Sequence, residues 1–198
     1  MRADESRVGG RAGCRVWLRG VTTRWPGDEP IRLADVDVAA GRRLAVVGDA
    51  GAGMSTLAAV LLRILDYRGS ITVNGTELRE LAGDMVRRIV AHCGPDPRVV
   101  DAAARLERQR LALGRALLAD FPVLVVDEPA PVADASAADA FLIDMLAAAT
   151  GRTVLLTVRR ALLPGAHPVL RQVDEVISVN VPREGAHPVP AGGALAGG

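Results

Sequence analysis

The stretch GDAGAGMST, Gly48 to Thr56, decides how the rest of this 198-residue chain is read. It follows RRLAVVG (42–48), a short apolar run ending on glycine as a buried parallel strand does. It opens STLAAVLLRILDY (55–67), which has the length and residue types of a helix, with Gly69 as its predicted end. Between a strand and a helix, Gly48, Gly51 and Gly53 let backbone N–H groups turn inward and hold phosphate at the helix N-terminus. Ser55 is placed to offer its hydroxyl to Mg2+. Taken alone, the loop also reads as an ordinary glycine-rich turn. A phosphate loop of this kind carries lysine where Met54 stands, and here all 24 basic residues are arginine.

The loop does not stand alone. In FPVLVVDEP (121–129), Asp127 and Glu128 end an apolar strand, the edge at which open α/β sheets gather ligands. An aspartate there can hold Mg2+ through water, and the adjacent glutamate can orient or deprotonate an attacking water. The competing reading is a strand capped by a polar turn.

Around these motifs, CRVWLRGVTTRW (14–25) and IRLADVDV (31–38) alternate like strands, and SITVNGTEL (70–78) reads as a hairpin turning on Asn74-Gly75. A helix from about Arg105 to Leu118, the strand VLVVD (123–127), a helix around AADAFLIDMLAAA (137–149) and the strands TVLLTV (153–158) and DEVISV (174–179) follow. Strands alternating with helices imply a mostly parallel sheet covered on both faces, with the antiparallel start as a small added β-layer.

The length fits one domain, which at this size buries about 70% of its unfolded surface and needs no structural metal or disulfide. Residues 1–13 read as a flexible leader, 14–181 as the folded unit, and PREGAHPVPAGGALAGG (182–198) as a disordered tail. A net charge of +1 gives no pull towards nucleic acid or acidic membranes. Cys14 and Cys93 are too few and too far apart for a disulfide framework, so two free thiols are expected. With no apolar run of membrane-spanning length and no signal-peptide pattern, the expected location is the cytoplasm, peripheral to the inner face of the cell membrane if membrane partners exist. His92 and Cys93 are adjacent and would face opposite sides of a strand, a poor start for joint metal ligation.

From about Val16 to Val179 the chain resembles the nucleotide-binding domains of ATP-binding cassette (ABC) transporters. The likeness is carried by the glycine loop, by VLVVDEP as the Walker B strand, by ERQRLALGRALL (107–118) as the helix after the signature, by GSITVNG (69–75), and by WPGDEPIRLADVDVAAGRRLAVVG (25–48) as the N-terminal β-layer. RRIVAHCGPDPRVVD (87–101) leans towards cassettes of heterodimeric cysteine and glutathione exporters. The resemblance implies a P-loop NTPase-like three-layer sandwich, with a mostly parallel sheet and an N-terminal antiparallel β-layer. It implies ATP or ADP with Mg2+ as ligands, Glu128 as the catalytic base, Ser55 and Asp127 on the metal, and Gly48, Gly51, Gly53, residue 54, Ser55 and Thr56 around the phosphates. Trp25 takes the place of the aromatic that stacks on adenine; a buried core tryptophan is the alternative.

The departures from the family are concordant. Met54 removes the charged clamp, a loss of about 3 to 4 kcal/mol of transition-state stabilisation. Asp49 adds a carboxylate that opposes a bound polyphosphate unless it points outward. Leu-Ser-Gly-Gly of the signature becomes Ala103-Ala104-Arg105-Leu106, the Q-loop glutamine falls on Pro95, and the switch histidine falls on Val158. Only a handful of residues separate Asp96 from Arg105, so the helical subdomain is largely deleted. The D-loop Asp134 survives. The leading expectation is a degenerate ABC ATP-binding domain with weak or absent Mg-nucleotide binding and little or no hydrolysis, partnered by a second cassette or a membrane exporter subunit. Two others stand beside it: an ATPase using Glu128 with groups supplied by a partner, and an interaction protein that binds no nucleotide.

Overall fold

The computed structural model of the chain describes residues 12–94, 102–128, 135–162 and 168–179. Two five-stranded sheets build it. In the first, β1 (Val16–Thr23) pairs antiparallel with β2 (Ile31–Arg32), β3 (Val36–Val38) and β5 (Tyr67–Val73), and β6 (Thr76–Glu77) closes a hairpin on β5. The second is parallel throughout, in the order β10 (Glu175–Val179), β4 (Arg43–Gly48), β9 (Thr153–Arg159), β8 (Val123–Asp127), β7 (Val90–Cys93).

The layers follow from side-chain parity along the parallel strands. Leu44, Val46, Val123, Val125 and Leu155 join one core cluster with the antiparallel sheet and α1 (Met54–Leu61). Leu124, Val126, Val154, Leu156 and Val158 join the other, against α3 (Ala102–Leu118) and α4 (Ala135–Ala148). Helix α1 is therefore wedged between two sheets, which is why seven of its eight residues are buried and its sequence is apolar all round. The expected three-layer α/β sandwich with an N-terminal antiparallel layer is the observed one. A short helix, α2 (Gly83–Ile89), leads into β7 and buries Val86 and Ile89 in the first cluster. Cys14 and Cys93 are both free and buried, one in each cluster. Burial raises both thiol pKa values, that of Cys93 to about 11.

Helix α1 ends earlier than its sequence predicts, and not at Gly69. Arg63 adopts the left-handed conformation (φ 56°), with Arg63 N–H donating to Val60 O at 3.0 Å and Ile64 N–H to Ala59 O at 2.9 Å. This paired closure satisfies the last carbonyls after only two turns. The Arg63 guanidinium donates to Leu81 O at 2.6 Å, which anchors a conformation that arginine does not favour by itself. Gly69 lies instead within β5 (φ 89°), opposite the register shift of β1 between Arg19 and Thr22. The Asn74-Gly75 turn forms as predicted, with both residues at positive φ (49° and 80°).

Gly69 and Gly75 make a controlled pair. A Cβ on Gly69 would stand 2.7 Å from the Gly20 carbonyl carbon and 2.8 Å from the Arg19 oxygen, whereas one on Gly75 meets nothing within 4 Å. We expect Gly69→Ala to cost about 2 to 4 kcal/mol in urea unfolding and Gly75→Ala only about 1 kcal/mol. Equal losses would show that the close approach of β5 to the β1 bulge is not a constraint on the fold.

Candidate nucleotide site

The glycine loop hangs from the C-terminal end of β4, an interior strand of the parallel sheet flanked by β10 and β9. Gly48 has no room for a side chain, since a Cβ would lie 2.7 Å from both Ala52 Cβ and Val179 Cγ2. Gly51 and Gly53 hold positive φ (85° and 77°), and Ala52 N–H closes the turn on Asp49 O at 3.0 Å. Gly53 is the N-cap of α1 and no side chain caps the helix, so its first N–H groups face the loop without a side-chain acceptor. A cleft of 280 Å³ opens there, lined among others by Trp25, Gly51, Gly53, Met54, Ser55 and Glu128.

Within this cradle the side chains separate by polarity. Met54 is 4% exposed and packs in the core between the sheets, the natural fate of a thioether at the base of a buried helix. Ser55 is exposed, and its hydroxyl lies near enough to Asp127 to favour the ionised carboxylate. Thr56 is buried, and its hydroxyl accepts the Trp25 indole N–H at 3.1 Å. Trp25 itself is 39% exposed at the cleft, which excludes the reading of it as a core residue. Asp49 points outward, its carboxylate 3.6 Å from Arg160 Nε.

The carboxylates sit at the same edge, on the α1 side of the sheet. Parity places His92 of β7, Asp127 of β8, and Thr157 and Arg159 of β9 on that side, while Val158 turns away, 4% exposed, into the α3–α4 layer. Asp127 is buried; its Oδ1 accepts the Thr157 hydroxyl at 2.6 Å, and its Oδ2 lies 3.8 Å from His92 Nε2. Burial by itself raises the pKa of Asp127, but the nearby His92 imidazole and the hydroxyls of Thr157 and Ser55 outweigh it and hold the carboxyl below its ordinary value. The same Thr157 oxygen accepts Glu128 N–H at 3.0 Å, so one hydroxyl fixes both acidic residues. His92 reaches this position only because Gly94 lacks a side chain: a Cβ there would fall 2.5 Å from the imidazole Cε1.

Glu128 leaves the strand at φ 39°, which bends its side chain back over the sheet edge. Its Oε2 meets Arg159 Nη2 at 2.5 Å, and its carbonyl accepts the amide of buried Gln109 at 3.4 Å. The bond to Glu128 raises the pKa of the Arg159 guanidinium, which is a permanent cation at any ordinary pH. Among the described residues no group of three or more His, Cys, Asp or Glu side chains forms a metal cluster.

The residues picked from the sequence thus converge on one edge: Gly48, Gly51, Gly53, Ser55, Thr56, Trp25, Asp127 and Glu128 surround the loop and its cleft, with Met54 turned inward beneath them. Pro95, Asp96 and Asp134 lie outside the described residues, as do the side chains of Ala103, Arg105 and Leu106. Thr157, Arg159, Arg160 and His92 were not legible as site residues. Period-two alternation through TVLLTVRR, carried past the apolar run, would have found Thr157 and Arg159.

Residues 31–107 match the family described as ABC transporter. Among curated relatives, a transport ATP-binding protein, AarD, of Providencia stuartii is 30% identical over 157 residues, covering 55% of this chain and 27% of that protein. ATP-dependent lipid A-core flippases of Escherichia coli K12 and Salmonella typhimurium LT2 are each 26% identical over 228 residues, covering 89% of this chain and 38% of the flippase. The chain therefore spans well under half the length of these relatives. An alignment of 228 positions is longer than the 198-residue chain itself, so the flippases carry residues with no counterpart here. With a glycine loop at the end of β4 and an acidic pair at the end of β8, two strands away, the chain is similar over these spans to the ATP-binding domains of ABC transporters.

Proposed function

We propose that this domain, residues 14–181, binds Mg-nucleotide weakly, hydrolyses it little or not at all, and serves as a non-catalytic cassette beside a second ABC cassette or a membrane exporter subunit at the cytoplasmic face. The observation that carries the reading is the burial of Met54: the loop keeps its backbone donors while the residue that should supply a cation is 4% exposed in the core. The exporter context rests on the relatives, whose names describe transport and lipid A-core flipping. Among the described residues no helix is long and apolar enough to cross a membrane, so coupling to transport would go through a partner.

The donor set suits Mg2+. The Ser55 hydroxyl and the neighbouring Asp127 carboxylate offer the hard oxygen ligands that a six-coordinate ion takes from protein while keeping water and phosphate oxygens for its other positions. When bound, the ion neutralises charge between phosphate oxygens. What the chain does around it is limited. The loop amides orient the phosphates, Trp25 closes one side, and Glu128, held by Arg159, is a poor acceptor for a proton from water.

Calorimetry with MgATP, with MgADP and with each nucleotide in EDTA tests the binding, and phosphate release tests turnover. We expect measurable heats and a hydrolysis rate two or more decades below that of a lysine-bearing cassette; turnover at an ordinary cassette rate would end the reading. Trp25 gives a second measurement: its fluorescence should quench on addition of ATP or ADP, and an unchanged spectrum at saturating nucleotide would remove it from the site.

Thr157→Val tests the carboxylate network. A folded pKa held below the unfolded value of about 3.9 contributes stability that is present above that value and lost as pH falls through the folded pKa. The variant should be less stable at pH 7 by about 1 to 3 kcal/mol, with the gap from wild type narrowing as pH drops below about 4. A loss that does not vary with pH would mean that Thr157 acts by packing alone.

A further inference from the structure

We propose that Arg159 is the residue by which this site distinguishes a nucleoside triphosphate from a diphosphate. The inference rests on the reading of the domain as a nucleotide binder and assigns a role to a side chain that the family pattern does not supply. Three observations carry it. The position matching the switch histidine is Val158, whose side chain is buried on the far side of the sheet, so no polar group can reach the phosphates from there. The next residue has the opposite parity: Arg159 projects on the α1 side, directly across from Gly48, the first residue of the glycine loop, in the register of β4 and β9. Its guanidinium already binds an anion at the mouth of the cleft, the Glu128 carboxylate, at 2.5 Å.

A guanidinium recognises carboxylate and phosphate oxygens by the same planar fork of N–H donors. The Arg159 side chain is half exposed (49%), and an ion pair that open to solvent is held weakly, so a doubly charged terminal phosphate can draw the guanidinium away from Glu128. A diphosphate, which ends nearer the loop, leaves the pair with Glu128 intact. Arg159 is thus a specificity residue: it would stand in for both the missing loop lysine and the missing switch histidine, with its charge held in reserve on Glu128. It does not restore hydrolysis, since it acts on phosphate oxygens and takes no proton.

The test is the ratio of ATP to ADP affinity, measured by calorimetry on the full chain with Mg2+. Wild type should prefer ATP. Arg159→Ala should weaken ATP by about tenfold and leave ADP within about twofold, while Arg159→Lys keeps part of the preference. Glu128→Gln, which frees the guanidinium without deleting it, should tighten ATP more than ADP; this variant also guards against a fold effect of the alanine substitution, which a matched thermal unfolding curve would detect. An ATP-to-ADP ratio unmoved by both Arg159→Ala and Glu128→Gln overturns the assignment while leaving nucleotide binding intact. If wild type binds neither nucleotide, the underlying reading fails and this inference falls with it.

Discussion

The wedging of α1 between two sheets is the constraint on which the site depends. A helix with apolar neighbours on both sides must be short, uncharged and close to its strands, and MSTLAAVL meets all three conditions. Such packing draws residue 54 into the core whenever its side chain is apolar, and it is here: Met54 fills space shared with the antiparallel layer instead of bending back over the loop. The glycines above it keep their geometry because strand spacing and helix position demand it. Gly48 is pressed by Ala52 and Val179, and Gly53 lies 3.1 Å (as a Cβ position) from Leu33 of the antiparallel layer. Packing alone therefore demands the glycine geometry of this loop, whatever the loop binds.

The acidic edge is organised by hydroxyl bonds more than by charge. Thr157 donates to Asp127 and accepts from the backbone of Glu128. The Thr157 bonds hold both acids without a ligand, and the Arg159 guanidinium supplies positive charge beside them. Asp127 and the backbone of Glu128 are thus held from within the protein, whereas the arginine side of the Arg159–Glu128 pair is open to solvent.

Much of this was legible in the sequence because its signals are local. Asn74-Gly75 forces a tight turn, three glycines between a strand and a helix force a loop, and an apolar run ending Asp-Glu sets carboxylates at a sheet edge. The misses share a cause of another kind. Gly69 looked like a helix end because propensity cannot show that Arg63, anchored to Leu81 by a contact eighteen residues away, would take the left-handed position first. Strand β7 and helix α2 carry too few residues to show a period. The sequence shows valine at position 158, but only the strand's parity, fixed by its neighbours, shows that Arg159 lies on the opposite face from Val158.

The two cysteines give the layered core an unplanned readout. Only thiolate reacts with alkylating or disulfide reagents, and both sulfurs are shielded and held protonated, one on each side of the parallel sheet. Labelling at Cys14 therefore reports parting of the antiparallel layer from the parallel sheet, and labelling at Cys93 reports lifting of the α3–α4 layer. The chain carries its own pair of chemical clocks for the order in which its layers come apart.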